Sequence, residues 1–192
     1  MPHIAYEVVR PDQARSCAVF ASPHSGRNYS FSFLRSTVLD GHSIRSSEDA
    51  FVDLLFNSAP HFGAPFLMAG APRAFLDLNR SRDELDPALI EGVRRQAHNP
   101  RVASGLGVIP RVVANGRSIY QGKLTLDEAR ARIATYWVPY HDMLQSLLND
   151  ARADHGQAIL VDCHSMPSSV RALPGGRRPD MVLGDRYGTS AG

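Results

Sequence analysis

The stretch Ala158-Ile159-Leu160-Val161-Asp162-Cys163-His164-Ser165 decides how this chain is read. Four apolar residues followed at once by polar ones describe a short buried strand that delivers Asp162, His164 and Ser165 to its carboxyl end. An earlier run, Cys17-Ala18-Val19-Phe20-Ala21, has the same form and is closed by Ser22-Pro23, with His24-Ser25-Gly26 behind it. Between the two lie segments of helical and strand character. Ser46 with Asp49 has capping-box spacing, and Val52, Leu55 and Phe56 continue an apolar stripe, so residues 46–58 are expected to be a helix. Pro65 to Met68 and Ala74 to Leu78 are expected to be two further strands.

A long helical pattern follows Thr125, whose spacing to Glu128 makes a second capping box. Ile133, Trp137, Leu144 and Leu148 carry its apolar face. Pro139 should kink or divide it near Trp137–Val138, because proline lacks the N–H that the helix ladder needs. A last short strand is expected at Met181-Val182-Leu183. Strands alternating with helices define an α/β domain with a largely parallel sheet covered by helices, one domain over residues 1–192. The sequence closes on the small-residue run Gly188-Thr189-Ser190-Ala191-Gly192 with no helix pattern after the last strand, which suggests a domain lacking its C-terminal segment.

Bulk properties narrow the function. Of 192 residues, 43% are apolar and 21% charged, the balance of an ordinary globular protein. A formal net charge of +2 gives no footprint for nucleic acid or an anionic membrane. Residues 1–10 include His3, Tyr6 and Glu7 and form no signal peptide, and no apolar run reaches the roughly 18 residues of a membrane span. Cys17 and Cys163 sit in separate apolar runs and read as reduced core residues of a cytoplasmic protein. Basic charge is almost all arginine, with Lys123 the sole lysine. Codon usage accounts for that bias; the alternative is that some guanidiniums grip carboxylates bidentately.

The chemistry lies in two histidines, His24 and His164, each directly after a buried strand run. Ligands of α/β sheets bind at the carboxyl ends of strands, so imidazoles 140 residues apart can meet there. Neutral imidazole is a common zinc ligand, and a catalytic zinc takes three protein ligands and a water. Glu48 and Asp49 are the natural third ligands; the competing reading makes each histidine a hydrogen-bonding strand end and Asp49 a helix cap. Asn79-Arg80, at the end of Phe75-Leu76-Asp77-Leu78, suits bidentate capture of a carboxylate, or else Arg80 pairs with a surface acid such as Asp83. Tyr140-His141, after the Pro139 break, points into a cleft or lies on a helix surface. No Gly-x-Ser-x-Gly elbow and no glycine-rich phosphate cradle is present.

These segments, in this order, resemble the N-formylglutamate amidohydrolase family. The matching pieces are Ser22-Pro23-His24-Ser25-Gly26, Ser47-Glu48-Asp49, Phe75 through Arg80, Gly107-Val108-Ile109-Pro110-Arg111, Ile119-Tyr120, Pro139-Tyr140-His141, Val161 through Pro167 and Leu183-Gly184-Asp185. The resemblance implies a mostly parallel or mixed sheet flanked by helices, similar to zinc carboxypeptidases and aspartoacylase-like deacylases (the phosphorylase/hydrolase-like fold). It also implies hydrolysis of N-formyl-L-glutamate to formate and glutamate, as in histidine breakdown. On that reading one Zn2+ per chain is held by His24, Asp49 and His164, with Glu48 as substitute for Asp49. Asn79 and Arg80 bind a substrate carboxylate, with Tyr140 and His141 as further substrate contacts. Arg80 or the zinc stabilises the developing oxyanion, and Asp162 is the candidate that fixes the His164 tautomer.

The implied partner is a small acidic N-acyl amino acid, not nucleic acid or membrane. The family continues past the Leu-Gly-Asp segment to a late strand ending in a glutamate that resembles a general base, and residues 186–192 do not match it. Two other readings therefore stand beside the first: a related zinc deacylase acting on another N-acyl amino acid or peptide, and a metal-binding but catalytically impaired remnant.

Overall fold

A computed structural model describes residues 4–94, 99–166, 179–185 and 188. Four short strands, β1 (Tyr6–Val9), β2 (Ala18–Ser22), β3 (Phe66–Ala69) and β4 (Ile159–Asp162), form one sheet in the order β1-β3-β2-β4. The pairs β2–β3 and β2–β4 are parallel, and β1 runs antiparallel to β3. The sheet is thus mixed, within an α/β architecture whose helices are α1 (Phe31–Ser36), α2 (Val52–Leu55), α3 (Pro100–Ala103), α4 (Leu126–Arg132) and α5 (Val138–His155). No helix among the described residues is long and apolar enough to cross a membrane.

The apolar runs ending at Ala21 and Val161 are the centre and one side of this sheet. Val19 and Ala21 of β2 are buried, and β4 aligns with β2 so that Ala21 stands opposite Asp162. One residue later the Cys163 N–H still donates to the Ala21 carbonyl at 2.7 Å. Both chains then leave the sheet at the same level, and this register sets His24 and His164 side by side.

The long helix forms as its pattern predicts. Thr125 Oγ1 accepts from the Glu128 N–H at 3.1 Å, and α5 buries Tyr140, Leu147 and Ala151. The Pro139 break takes the form of a π turn over Ile133–Trp137 that passes directly into α5. Glu128 reaches forward to the buried Arg132. Arg132 also donates to Tyr120 Oη at 2.7 Å and to the Phe75 carbonyl at 3.1 Å, with its guanidinium 4.2 Å from the centre of the Phe75 ring. Helix α4 is thereby tied to the segment that leads into Asp77.

Three expectations are corrected. Residues 46–58 are not one helix: a 3-10 turn at Ser43–Ser47 and the four-residue α2 flank extended backbone at Glu48 (ψ 135°) and a left-handed Phe51 (φ 64°). Asp49 is pulled out of helical geometry because its N–H donates to the His24 carbonyl at 3.1 Å. Ala74 to Leu78 is not a strand. Its residues are buried, but the Phe75 and Leu76 N–H groups close a turn on the Pro72 carbonyl and Asp77 N–H donates to Val108. Met181-Val182-Leu183 is not a strand either; its side chains are exposed and it pairs with no strand among the described residues. Strand β1 was missed: its alternating half-buried Tyr6 and Val8 is the signal that could have found it.

Candidate metal centre

His24 leaves β2 in a loop pressed against the next turn, where a Cβ on Gly26 would lie 2.2 Å from the Ala71 carbonyl oxygen. Its ring is buried. Nε2 hydrogen-bonds Asp77 Oδ1 at 2.7 Å, while Nδ1, equally buried, has no hydrogen-bond partner and lies 3.5 Å from Asp49 Oδ2. An ionised carboxylate can only accept, so Asp77 holds the proton on Nε2 and leaves the Nδ1 lone pair free.

Asp77 is itself held by the Arg73 Nε donor at 3.1 Å and by the Asn79 N–H at 2.9 Å. Burial pushes its pKa up, but the His24 hydrogen bond and charge, with Arg73 behind them, outweigh that and bring it down to about 2. The sequence pattern alone gives Asp77 no role. Its place two residues before Asn79, in a segment buried despite its charge, was the available signal.

Asp49 and His164 complete the cluster. His164 Nδ1 lies 2.8 Å from Asp49 Oδ2, and Ser165 Oγ donates to Asp49 Oδ1 at 3.1 Å. On the far side of the ring, Nε2 meets Asp162 Oδ2 at 3.0 Å and the Asn79 amide at 3.1 Å. The two imidazole centres are 4.8 Å apart. Burial would lower the His164 pKa, yet hydrogen bonds and charge from Asp162 and Asp49 raise it to about 9. Burial opposes ionisation of Asp49 as well, but the His164 hydrogen bond and the proximity of both imidazoles hold its carboxyl well below the usual range.

One donor atom from each of His24, Asp49 and His164 falls within 4.8 Å of the others. A tetrahedral zinc with bonds of about 2.0–2.2 Å separates neighbouring ligand atoms by about 3.3 Å. The observed 3.5 and 2.8 Å from Asp49 Oδ2 to the two Nδ1 atoms bracket that spacing. The donor set fits a divalent metal: two imidazoles, one carboxylate and an unpartnered buried nitrogen aimed at the gap. Glu48 is not part of this cluster; its carboxylate accepts from Tyr29 Oη at 3.0 Å and Arg45 at 3.1 Å.

The expected substrate groups are distributed around it. Asn79 is exposed beside His164. Arg80 is mostly buried, with an unpartnered Nε 4.0 Å from Asp77 Oδ2, and its carbonyl is anchored by the Trp137 indole N–H at 2.8 Å. Tyr140 lies in the core with no partner for its Oη; burial first, then the charges of Asp162 and Cys163, raise its pKa. His141 turns to the helix, with Nδ1 2.8 Å from the Trp137 carbonyl and its ring stacked on Trp137 at 3.7 Å. Burial lowers its pKa despite its backbone hydrogen bonds.

Compared with known proteins, residues 16–192 match the family model of N-formylglutamate amidohydrolase. The chain belongs to the N-formylglutamate amidohydrolase family. Within it, two similar relatives are called N-formylglutamate deformylase. The one from Pseudomonas aeruginosa is 29% identical over 187 residues, covering 96% of this chain and 65% of the relative. The one from Pseudomonas putida is 29% identical over 180 residues, covering 93% and 62%. This family member therefore spans less than two thirds of the length of the curated relatives it matches.

Its fold is similar to the crystal structure of an N-formylglutamate amidohydrolase from Ralstonia eutropha, at 34% identity and a TM-score of 0.79 over 85% of this chain and 59% of that one. A gene product of Agrobacterium tumefaciens shares the fold at 17% identity and a TM-score of 0.60, over 84% of this chain and 56% of that one.

Proposed function

We propose that this chain carries the metal centre of an amidohydrolase that cleaves the formyl amide of N-formyl-L-glutamate, yielding formate and glutamate. The observation that carries the reading is His24 Nδ1: buried, unpartnered, and facing Asp49 and His164 while Asp77 occupies the opposite nitrogen. His24, Asp49 and His164 would hold one Zn2+. Bound zinc supplies a Lewis acid for the formyl carbonyl and lowers the pKa of water to about 7.

The remaining residues bind and orient. Asp77 and Asp162 fix the two imidazoles so that each presents Nδ1 to the centre. Asn79 and Arg80, on the loop directly after Asp77, hold a carboxylate of the acidic substrate. Arg80 Nε makes no hydrogen bond and only a long ion pair of 4.0 Å to Asp77 Oδ2, which supports that role. A guanidinium so placed also stabilises negative charge developing on the amide oxygen. His141, stacked on the Trp137 ring whose indole N–H holds the Arg80 carbonyl, lies beside this loop. Both cysteines are free thiols, which supports a reducing, cytoplasmic setting.

Two measurements test the reading. Zinc-loaded protein incubated with N-formyl-L-glutamate should release formate, and N-acetylglutamate or N-formylaspartate should react more slowly. Equal or better turnover of a non-formyl substrate would replace the assignment with that of a broader deacylase. Tight zinc binding without formate release would leave a metal-binding protein. Separately, His24→Ala and His164→Ala should each abolish stoichiometric zinc by elemental analysis; unchanged metal content would refute the ligand set.

A further inference from the structure

Two segments that are remote in sequence must be held together for His24 and Asp49 to share an ion, and the structure joins them twice. The first junction is the backbone hydrogen bond from Asp49 N–H to the His24 carbonyl, 3.1 Å. The second lies three residues beyond His24 and four beyond Asp49. There Arg27 and Asp53 form a two-pronged ion pair, NH1 to Oδ1 at 3.0 Å and NH2 to Oδ2 at 2.7 Å. The parallel fork matches guanidinium to carboxylate geometry and fixes orientation as well as distance. Arg27 also lies 5.2 Å from the centre of the Phe51 ring, and Phe51 has the left-handed conformation (φ 64°) that turns the chain between Asp49 and α2. A bulky side chain holds that conformation only where its surroundings impose it.

We infer that Arg27 and Asp53 are positioning residues for the metal centre: their ion pair clamps the His24 loop to the Asp49 segment at the separation a shared divalent ion requires. This rests on the metal-centre reading above. The clamp touches neither substrate nor metal. It acts because Asp49 sits in no regular helix that would hold it, and the His24 loop hangs from the end of β2.

A comparable pair elsewhere supplies the control. Arg111 Nε meets Asp86 Oδ2 at 2.9 Å, and its side chain is 32% exposed against 31% for Arg27. It joins segments that carry no ligand. The experiment measures Zn2+ affinity by chelator competition and the Co2+ absorption spectrum on the full chain. Wild type is compared with Arg27→Met, Asp53→Asn, the double variant, Arg27→Lys and Arg111→Met, with the unfolding midpoint of each metal-free protein.

A clamp predicts that Arg27→Met and Asp53→Asn each weaken Zn2+ binding about tenfold or more, and that the double variant loses no more than either single one. Arg27→Lys should recover part of the loss, and Arg111→Met should bind Zn2+ within twofold of wild type even if it melts earlier. The inference is overturned if the Arg27 and Asp53 variants bind Zn2+ like wild type, if their losses simply add, or if Arg111→Met loses as much affinity. Wild-type protein that takes up no stoichiometric Zn2+ would instead sink the metal-centre reading itself, and the clamp with it.

Discussion

Replacing Asp77 with asparagine should separate the two things that this buried carboxylate does. Its side chain is 1% exposed and receives the His24 Nε2 hydrogen bond at 2.7 Å. With its pKa brought from 3.8 down to about 2, the folded state favours the charged form, which at 1.36 kcal/mol per unit is on the order of 2 kcal/mol. Because the folded pKa is depressed, this stability is present above pH about 4 and lost as the pH falls through about 2. Asp77→Asn should therefore lower the thermal midpoint of the metal-free protein at pH 7 by about 4–8 °C, taking 2–4 °C per kcal/mol for a chain of this size.

The second effect is on the tautomer. An asparagine can present its NH2 to Nε2, which moves the imidazole proton to Nδ1 and removes the lone pair facing Asp49. Zinc affinity should then drop about 10–100-fold. Calorimetric melting and chelator competition read the two effects independently. Zinc affinity within twofold of wild type, alongside the expected loss of stability, would refute the tautomer argument.

Other perturbations follow from the same geometry. Arg80→Ala should raise KM for N-formyl-L-glutamate with a smaller change in kcat; an unchanged kcat/KM would make Arg80 structural. His164, with its pKa raised to about 9, adds stability to the metal-free protein that is complete below about pH 6.5 and lost as the pH rises through about 9. Zinc must displace that proton, so its affinity should climb by up to tenfold per pH unit between pH 6.5 and 9, and a flat profile would contradict the assignment. Gly26→Ala would put a Cβ 2.2 Å from the Ala71 carbonyl. It should destabilise the protein by about 1–3 kcal/mol; a melting curve matching wild type would show that the loop yields without cost.

The parts of the fold legible in the sequence are those governed by contacts nearby in the chain or by plain apolar runs. Val19 and Ala21 had to be buried whichever neighbour they found, so β2 and β4 declared themselves within a residue of their ends. The Thr125 cap satisfies an N–H three residues away, and the helix after it needed no distant partner to be recognised. Strand β1 was passed over for the opposite reason. With only β3 beside it and one half-buried face, its four residues carry too weak an alternation to stand out from a loop. Arg132 was equally invisible: its hydrogen bonds to Phe75 and Tyr120 and its place over aromatic rings are properties of the assembled core.

The two internal segments whose local pattern misled, 46–58 and 74–78, are the ones that bring an acid to His24. Local composition puts Asp49 in the first turn of a helix and Asp77 within a strand, because the residues within ten positions support those elements. What overrides it is a ring 25 residues from Asp49 and 53 from Asp77 in the sequence. The His24 carbonyl holds the Asp49 backbone extended, and Nε2 holds the Asp77 side chain inward. Local preference and tertiary demand usually agree in natural proteins, and the exceptions concentrate where function is built. Asp49 and Asp77 face opposite nitrogens of one imidazole, and the chain gives up a helix on one side and a strand on the other to place them there. A histidine serving only as a packed strand end would need neither sacrifice: one carboxylate satisfies its N–H, and its second nitrogen could face any donor. Two buried acids converging on a single ring, the second joined by His164, is an arrangement that lowers its energy only with positive charge between the groups.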